Sequence, residues 1–430
     1  MTTRTATPTG LETGHQVAWW KEPTRDQWLA WTAGWLGWTL DAFDFTMFLL
    51  LLVPITQAFN VPLVATATVV TLTLWMRLIG AVAAGWLADR IGRKTPLMIS
   101  IAWYSVCNLL AGLAPSFLLL AGARTLLGIG MGGEWPAGAA LAMESWPKRS
   151  RGLMSGLLQG SWNLGYLIAA VVFGLLYPII GWRGMLIIGV LPALSIIYIR
   201  AFVKEPEVWK ENRRLQREQN REVRAPLVSI FRPPVLANTL SASWWMISSF
   251  IVYYSINSLF PTHLQQDLQF DAGRVALPVS LASLVGFLVS PLWGRLSDRI
   301  GRRWAAIIPG LITIAVAPLY LLTGDPFLVI FGFTLQGAFG QAIYWLNPIY
   351  LAERFPTEVR AVASAFCYHI GAIAGGAVAP ILTLLAVNGG LGFGSAMLVG
   401  TVLGAVSFAV ALIASPETLG TEFAPEVVVA

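Results

Sequence analysis

Apolar runs of about twenty residues recur along the chain, separated by short polar connections. Each is long enough to cross a hydrocarbon core as a helix. They predict twelve spans, at about 28–58, 64–88, 95–114, 116–143, 151–178, 183–203, 236–262, 273–297, 304–323, 326–351, 361–387 and 392–415. Between the sixth and seventh runs lies "KEPEVWKENRRLQREQNREVR", which is too polar to span and reads as a charged, partly helical linker.

Every second connection is basic: "DRIGRK", "PKRSR", the segment 204–235, "DRIGRR" and "ERFPTEVR". The intervening ones, such as "TQAFNVPL" and "TGDP", are nearly free of Lys and Arg, with Arg183 and Arg274 as exceptions. The positive-inside rule then puts the basic connections and both termini in the cytoplasm.

The chain also repeats. "GWLADRIGRK" at 85–94 returns 209 residues later as "GRLSDRIGRR", and "ESWPKRSRG" at 144–152 returns at the same offset as "ERFPTEVRA". Two homologous halves follow: a tail at 1–27, a six-helix half at 28–203, a linker at 204–235, a second half at 236–415 and a tail at 416–430. Parallel repeats of this kind place a substrate site between the halves, near the bilayer midplane. The expected fold class is all-α integral membrane, with twelve transmembrane helices in two pseudo-symmetric halves.

Composition narrows the functional classes. Of 430 residues, 56% are hydrophobic and only 12% are charged, about half the charged share of a soluble domain. The first 27 residues have no apolar core of a signal peptide. Cys107 and Cys367 both lie in apolar runs, so neither a disulfide framework nor a zinc site is expected. The net charge of +6 belongs to the orienting loops, which argues against nucleic-acid binding. "GIGMGG" lacks the preceding strand and the Gly-Lys-Ser/Thr ending of a phosphate loop. No cofactor, metal cluster or catalytic set is visible, so an enzyme is disfavoured. The 19 tryptophans cluster partly near span ends, as at Trp19, Trp20 and Trp28, which suits interfacial anchoring better than a ligand cage.

An ionisable side chain at mid-membrane costs about 2.5–3.5 kcal/mol on insertion scales, so each needs a reason. The spans hold Asp41, Asp44, Arg77, Arg124, Glu134 and His369. At 1.5 Å per residue the two aspartates lie roughly 20–24 Å from the cytoplasmic end of span 1, and Arg124 roughly 12 Å from the outer end of span 4. An Asp–Arg pair is therefore possible. Arg77, near the midplane, is the candidate for a substrate carboxylate, which a guanidinium binds in bidentate fashion. The alternative is that Arg77 and Arg124 only neutralise the acids. A carboxylate in low dielectric resists ionisation unless a cation is beside it, so an aspartate that gains and loses an arginine can carry a proton. Asp44 is the preferred carrier, and Glu134 is a proton exit or a structural partner. Gln159, Asn163, Gln336, Gln341, Asn347, Tyr368 and His369 are candidate substrate contacts. His263 and Asp267, one turn apart near the outer mouth, form a gate, a proton relay or a plain helix cap.

The repeated "G-x-L-A-D-R-x-G-R-K" loop resembles the hallmark of the major facilitator superfamily, over roughly residues 25–420. The resemblance implies a conformational role for Gly85, Asp89, Arg90 and Arg93 and for Gly294, Asp298, Arg299 and Arg302. "RTLLGIGMGGE" resembles the superfamily's span-four motif, which implies proton coupling at Arg124. "WLGWTLDAFDFTMF", "LWMRLIGA" and "GIGMGGEWPAGAALAMESWP" resemble the sialate:proton symporter family, which holds bacterial sialic-acid carriers and fungal-type lactate permeases. "FPTHLQQD" resembles the lactate branch at Thr262, His263, Gln266 and Asp267; Leu259, Gln265 and Asp271 depart from it. The implied function is proton-coupled symport of a lactate-like monocarboxylate by a monomer in the cell membrane, with a sialic-acid or aromatic-acid symporter as the alternative. Its partners are the organic anion, protons and the bilayer. An exporter is disfavoured because span 5 lacks an internal Gly-Pro pair, and a nutrient sensor because the tail after Thr418 is short.

Overall fold

The computed structural model describes residues 18–61, 63–219, 226–233, 235–270 and 272–423. Residues 1–17, 62, 220–225 and 234, Asp271, residues 424–430, and the side chains of Gln265 and Arg274 among others, lie outside the described part. All regular structure in that part is helical. Span 1 runs Arg25–Leu50 and continues as Leu52–Phe59. Spans 2, 3 and 4 are Leu63–Ile91, Lys94–Leu113 and Phe117–Ser145. Spans 5 and 6 lie within Arg151–Ile188 as two helices that part at Gly181 (φ 63°), and span 6 goes on to end as Leu194–Phe202. A positive φ of this kind is a conformation that glycine adopts without a Cβ clash.

In the second half, span 7 is Leu236–Asn257 followed by Phe260–Gln266, span 8 is Ala272–Ile300 and span 9 is Arg302–Leu321. Span 10 is broken into Pro326–Phe339, Ala342–Trp345 and Asn347–Arg354. Span 11 is Arg360–Gly376 with Val378–Val387, and span 12 is Gly392–Ile413. The linker holds a helix, Glu207–Glu218. Among the described residues eight helices are long and apolar enough to cross a membrane, nine with the bent pair that makes span 6. Spans 1, 4 and 7 are not among them. They carry the aspartates, Arg124 with Glu134, and a run of serines and aromatic residues. The outward faces of the bundle expose Leu118, Ile179, Phe327 and Leu403, a surface for lipid rather than water.

Between the halves, span 2 lies against span 11 and span 5 against span 8. At the basic-loop end these contacts are reciprocal. Asp89, closing span 2, accepts from Ala361 N (3.1 Å) and Val362 N (2.9 Å) in the first turn of span 11. Asp298, its repeat mate, accepts from Gly152 N (2.9 Å) and Leu153 N (3.1 Å) in the first turn of span 5. A carboxylate satisfies unpaired N–H groups and the positive end of the helix dipole at once. Each aspartate is held by an arginine of its own loop, Arg93 at 2.7 Å and Arg302 at 2.6 Å. Arg93 also forks onto Glu144 (3.0 and 2.8 Å), and Arg302 onto Glu353 (both 3.2 Å). Arg360 reaches back across the interface to Glu144 at 2.7 Å.

The chain after span 12 turns back under this face. Glu417 accepts from Arg302 N (2.8 Å) and Arg303 N (3.1 Å), capping span 9 as Glu205 caps span 3 through Arg93 N (2.6 Å) and Lys94 N (2.9 Å). Farther on, the Phe423 ring lies between two guanidiniums, 3.9 Å from that of Arg151 and 4.2 Å from that of Arg360.

Close approach at the interface depends on glycine. A Cβ on Gly294 would lie 2.2 Å from the Gly152 carbonyl oxygen, whereas one on Gly122, on the lipid face, would meet nothing within 4 Å. Gly294→Leu should therefore lower the detergent melting temperature of the purified protein, as overpacking costs about 1–3 kcal/mol. Gly122→Leu should leave it unchanged; equal melting of the two variants would contradict the packing described.

Candidate functional site

Away from the loops, the first half buries two arginine–aspartate pairs within its spans. Span 4 brings its glycine run against span 2, where a Cβ on Gly132 would sit 2.0 Å from the Arg77 carbonyl oxygen. This closeness sets Arg77 opposite span 1, and its Nη2 donates to Asp41 Oδ2 at 2.5 Å. Asp44 belongs to a second group: it accepts from Asn108 Nδ2 at 2.6 Å and from Arg124 Nη1 at 3.3 Å. Asn108 Oδ1 accepts from the same Arg124 nitrogen at 2.7 Å, and its amide also donates to Gly189 O at 3.2 Å. Four spans are thereby tied together, and the Phe48 ring lies 4.2 Å from the Arg124 guanidinium carbon. Asp41, Asp44, Arg77 and Arg124 are all buried.

Glu134 is fully buried, and neither of its oxygens has a hydrogen-bond partner among the described residues. Gly37 faces it: a Cβ there would meet Glu134 Oε1 at 2.1 Å. Asp41 and Arg77 are the charged groups whose fields reach it. Asp41 Oδ1 likewise has no partner. Three carboxylates therefore share two guanidiniums, and an unpaired buried charge is costly.

Beside the Arg77–Asp41 pair lies a cavity of about 370 Å³ between the halves. Its walls are largely aromatic. Trp38, Phe45, Trp162 and Tyr166 come from the first half, and Phe250, Tyr253, Tyr254, Tyr344, Trp345 and Tyr368 from the second. Its polar lining is Arg77, Gln159, Asn163, Asn257, Ser258 and Gln341. Trp38 and Trp162 pack with centroids 4.6 Å apart. Across the interface Trp135 stacks on Tyr368 at 4.0 Å, and Trp135 Nε1 donates to Gln159 Oε1 at 3.3 Å. The cavity extends to Leu49, Val70 and Ser258, toward the ends of spans 1, 2 and 7 that lie away from the basic loops. On the basic side the reciprocal caps close the path.

Of the expected substrate contacts, Arg77, Gln159, Asn163, Gln341 and Tyr368 line this cavity. Gln336, Asn347 and His369 lie outside the lining. Gln336 donates to Thr313 on span 9 at 3.3 Å, so it faces its own half. His369 Nδ1 is 3.0 Å from the Ala365 carbonyl oxygen of its own helix, and Nε2 has no hydrogen-bond partner among the described residues. Asp267 accepts from Phe393 N (3.0 Å), Gly394 N (3.2 Å) and His263 Nδ1 (2.8 Å). The pair thus caps the start of span 12 within one half. In the loops, the Arg90 guanidinium lies 4.9 Å from the centroid of the Trp86 ring, Arg299 is exposed, and Gly85 meets the Val362 backbone.

Two features differ from expectation. Trp38, Trp162 and Trp345 wall the cavity instead of anchoring span ends; their mid-span positions were the available signal. Asn108, an amide alone in an apolar run, is the residue that joins the Asp44 group.

A family model described as Major Facilitator Superfamily matches residues 34–262 and 246–427. A probable 4-methylmuconolactone transporter of Cupriavidus pinatubonensis is 34% identical over 360 residues, 82% of either chain. The sialic acid transporter NanX of Escherichia coli is 30% identical over 390 residues, 90% of this chain and 93% of that one. The solved structure of the proton:xylose symporter XylE bound to 6-bromo-6-deoxy-D-glucose shares the fold, with a TM-score of 0.73 over 92% of this chain and 97% of that one at 17% identity. The chain belongs to the Major Facilitator Superfamily: it is a multi-pass membrane transporter, not an enzyme.

Proposed function

We propose that the chain is a proton-coupled importer of an organic acid with a planar, conjugated or aromatic body. The observation that carries this reading is a single guanidinium, Arg77, at the edge of an aromatic-walled cavity, with its aspartate buried behind it. A carboxylate entering the cavity competes with Asp41 for Arg77, and the flat body stacks on the surrounding rings, a gain of about 0.5–1.5 kcal/mol per ring pair beyond area burial. Asp41, displaced from its cation, takes up a proton. One negative charge and one proton then enter together, and the cavity keeps its charge. Asp44 is the less suitable carrier, because Asn108 and Arg124 hold both its oxygens. Glu134, next to Asp41 and unpartnered, is suited to pass the proton on.

The relatives that transport methylmuconolactone and sialic acid support an organic acid. The wall chemistry favours the first kind of body. Lactate would leave most of the ring surface uncovered. Sialic acid is the second reading, favoured by the relationship to NanX, although the cavity offers its many hydroxyl groups only a short polar lining. With the basic loops in the cytoplasm by the positive-inside rule, the cavity faces outward and the chain resides in the cell membrane with both termini inside.

Proteoliposomes offered labelled benzoate, cis,cis-muconate, lactate and sialate decide the matter. Benzoate or muconate uptake should rise under an inward proton gradient; stimulation of none of the four would end this reading. Arg77→Ala should reduce uptake by about 100-fold, the scale of losing one partner of a buried charge pair. Asp41→Asn should abolish accumulation against a gradient, and sustained accumulation in that variant would rule out Asp41 as the carrier. Trp162→Ala should weaken apparent affinity for the aromatic substrate by about tenfold while changing lactate handling little.

A further inference from the structure

The two halves are related by a 209-residue offset, and so are their charge contacts at the basic face. Arg93 and Glu144 correspond to Arg302 and Glu353, and both pairs form. Arg360 corresponds to Arg151. Arg360 reaches Glu144 across the interface at 2.7 Å, so symmetry calls for Arg151 to reach Glu353. It does not: among the described residues Arg151 makes no ion pair, although it is buried.

The chain after span 12 stands in the way at both ends. On the acid, Thr418 Oγ1 donates to Glu353 Oε2 at 2.7 Å. On the base, Arg151 Nη1 donates to Thr421 O at 3.4 Å, and the Phe423 ring covers the guanidinium at 3.9 Å. The Trp146 carbonyl, 2.9 Å from Nε, is the only other hydrogen-bond partner of Arg151 among the described residues. The same Phe423 ring rests on Arg360 of the opposite half at 4.2 Å. Lys148 adds an exposed contact to Glu422 at 3.1 Å. A ring between two desolvated cations is attracted to both, and these two cations belong to halves that must separate here for the site to open on this side.

We propose that residues 415–423 are a latch: Phe423, seated between Arg151 and Arg360, holds the basic face closed and must leave before the halves part there. The latch replaces the ion pair that the repeat leaves unmade. Because it bridges two symmetry mates at once, its seat exists only while the face is shut. This is independent of which acid the cavity binds.

The test uses the full-length chain in lipid nanodiscs with spin labels at Ile91→Cys and Ile300→Cys, two exposed repeat mates at the basic ends of spans 2 and 8. The native cysteines are free and buried. Electron–electron distance measurement should give mainly the short separation in the otherwise native chain. Phe423→Ala should raise the ratio of long to short separations roughly tenfold, the scale of losing contact with two cations. Phe423→Leu, which keeps an apolar side chain without a ring, should fall between the two. Asp89→Asn, which weakens a reciprocal cap, is the positive control for opening. A Phe423→Ala distribution matching the native one, beside an opened Asp89→Asn, would overturn the latch. So would equal opening in the Leu and Ala variants, since that would assign the effect to burial alone. Failure of both to yield monodisperse protein would place the segment in the folding core and overturn it as well.

Discussion

Asp89 and Asp298 each cap a helix of the opposite half, and the closed state of the molecule rests on that exchange. In a bilayer the apolar faces of two helical bundles gain little by leaving lipid for each other, because lipid tails are as apolar as leucine. Directional polar contacts must then decide whether the halves meet. The caps are suited to this: they satisfy backbone groups that have no partner within their own helix. Arg93 and Arg302 aim the carboxylates, and Glu144 and Glu353 in turn aim the arginines. The loop appears twice because each copy serves the other half's helix.

The halves are symmetric in closure and unequal in chemistry. The two arginine–aspartate pairs within the spans, Arg77–Asp41 and Arg124–Asp44, and Glu134 lie in the first half, while the second contributes mostly tyrosine, phenylalanine and amide groups to the cavity. The charges are therefore carried within one bundle, and movement of the other need not separate them. Arg77 alone of the charged set both lines the cavity and belongs to a pair.

Much of this was legible in the sequence, and for identifiable reasons. Span number, the repeat and the charge inventory depend on one-dimensional features: apolar length, loop charge and offset. Depth along a span placed Asp44 and Arg124 within reach of one another, and they pair. Depth says nothing about the direction a side chain takes around its helix, which is why Gln336, at a suitable height, turns toward Thr313 of its own half, and His369 stays outside the cavity lining. Tryptophan is ambiguous for the same reason, since both the membrane interface and a stacking wall select it. The segment after span 12 is short and mixed in composition, and its contacts follow only from where spans 5 and 11 begin.

The pairing of the buried charges has an electrical consequence. Arg77 is already matched by Asp41, and Arg124 by Asp44. A monoanion that arrives with one proton leaves that balance unaltered, so the membrane voltage does no work on the loaded carrier. Under the proposed coupling, import would then be driven by the pH difference together with the acid's own concentration gradient. A dianion with one proton would move a net negative charge against the interior potential, at a cost of about 2.3 kcal/mol per 100 mV. The same cavity would thus admit mono- and dicarboxylates on different electrical terms, and voltage would act as a selectivity filter that no side chain supplies.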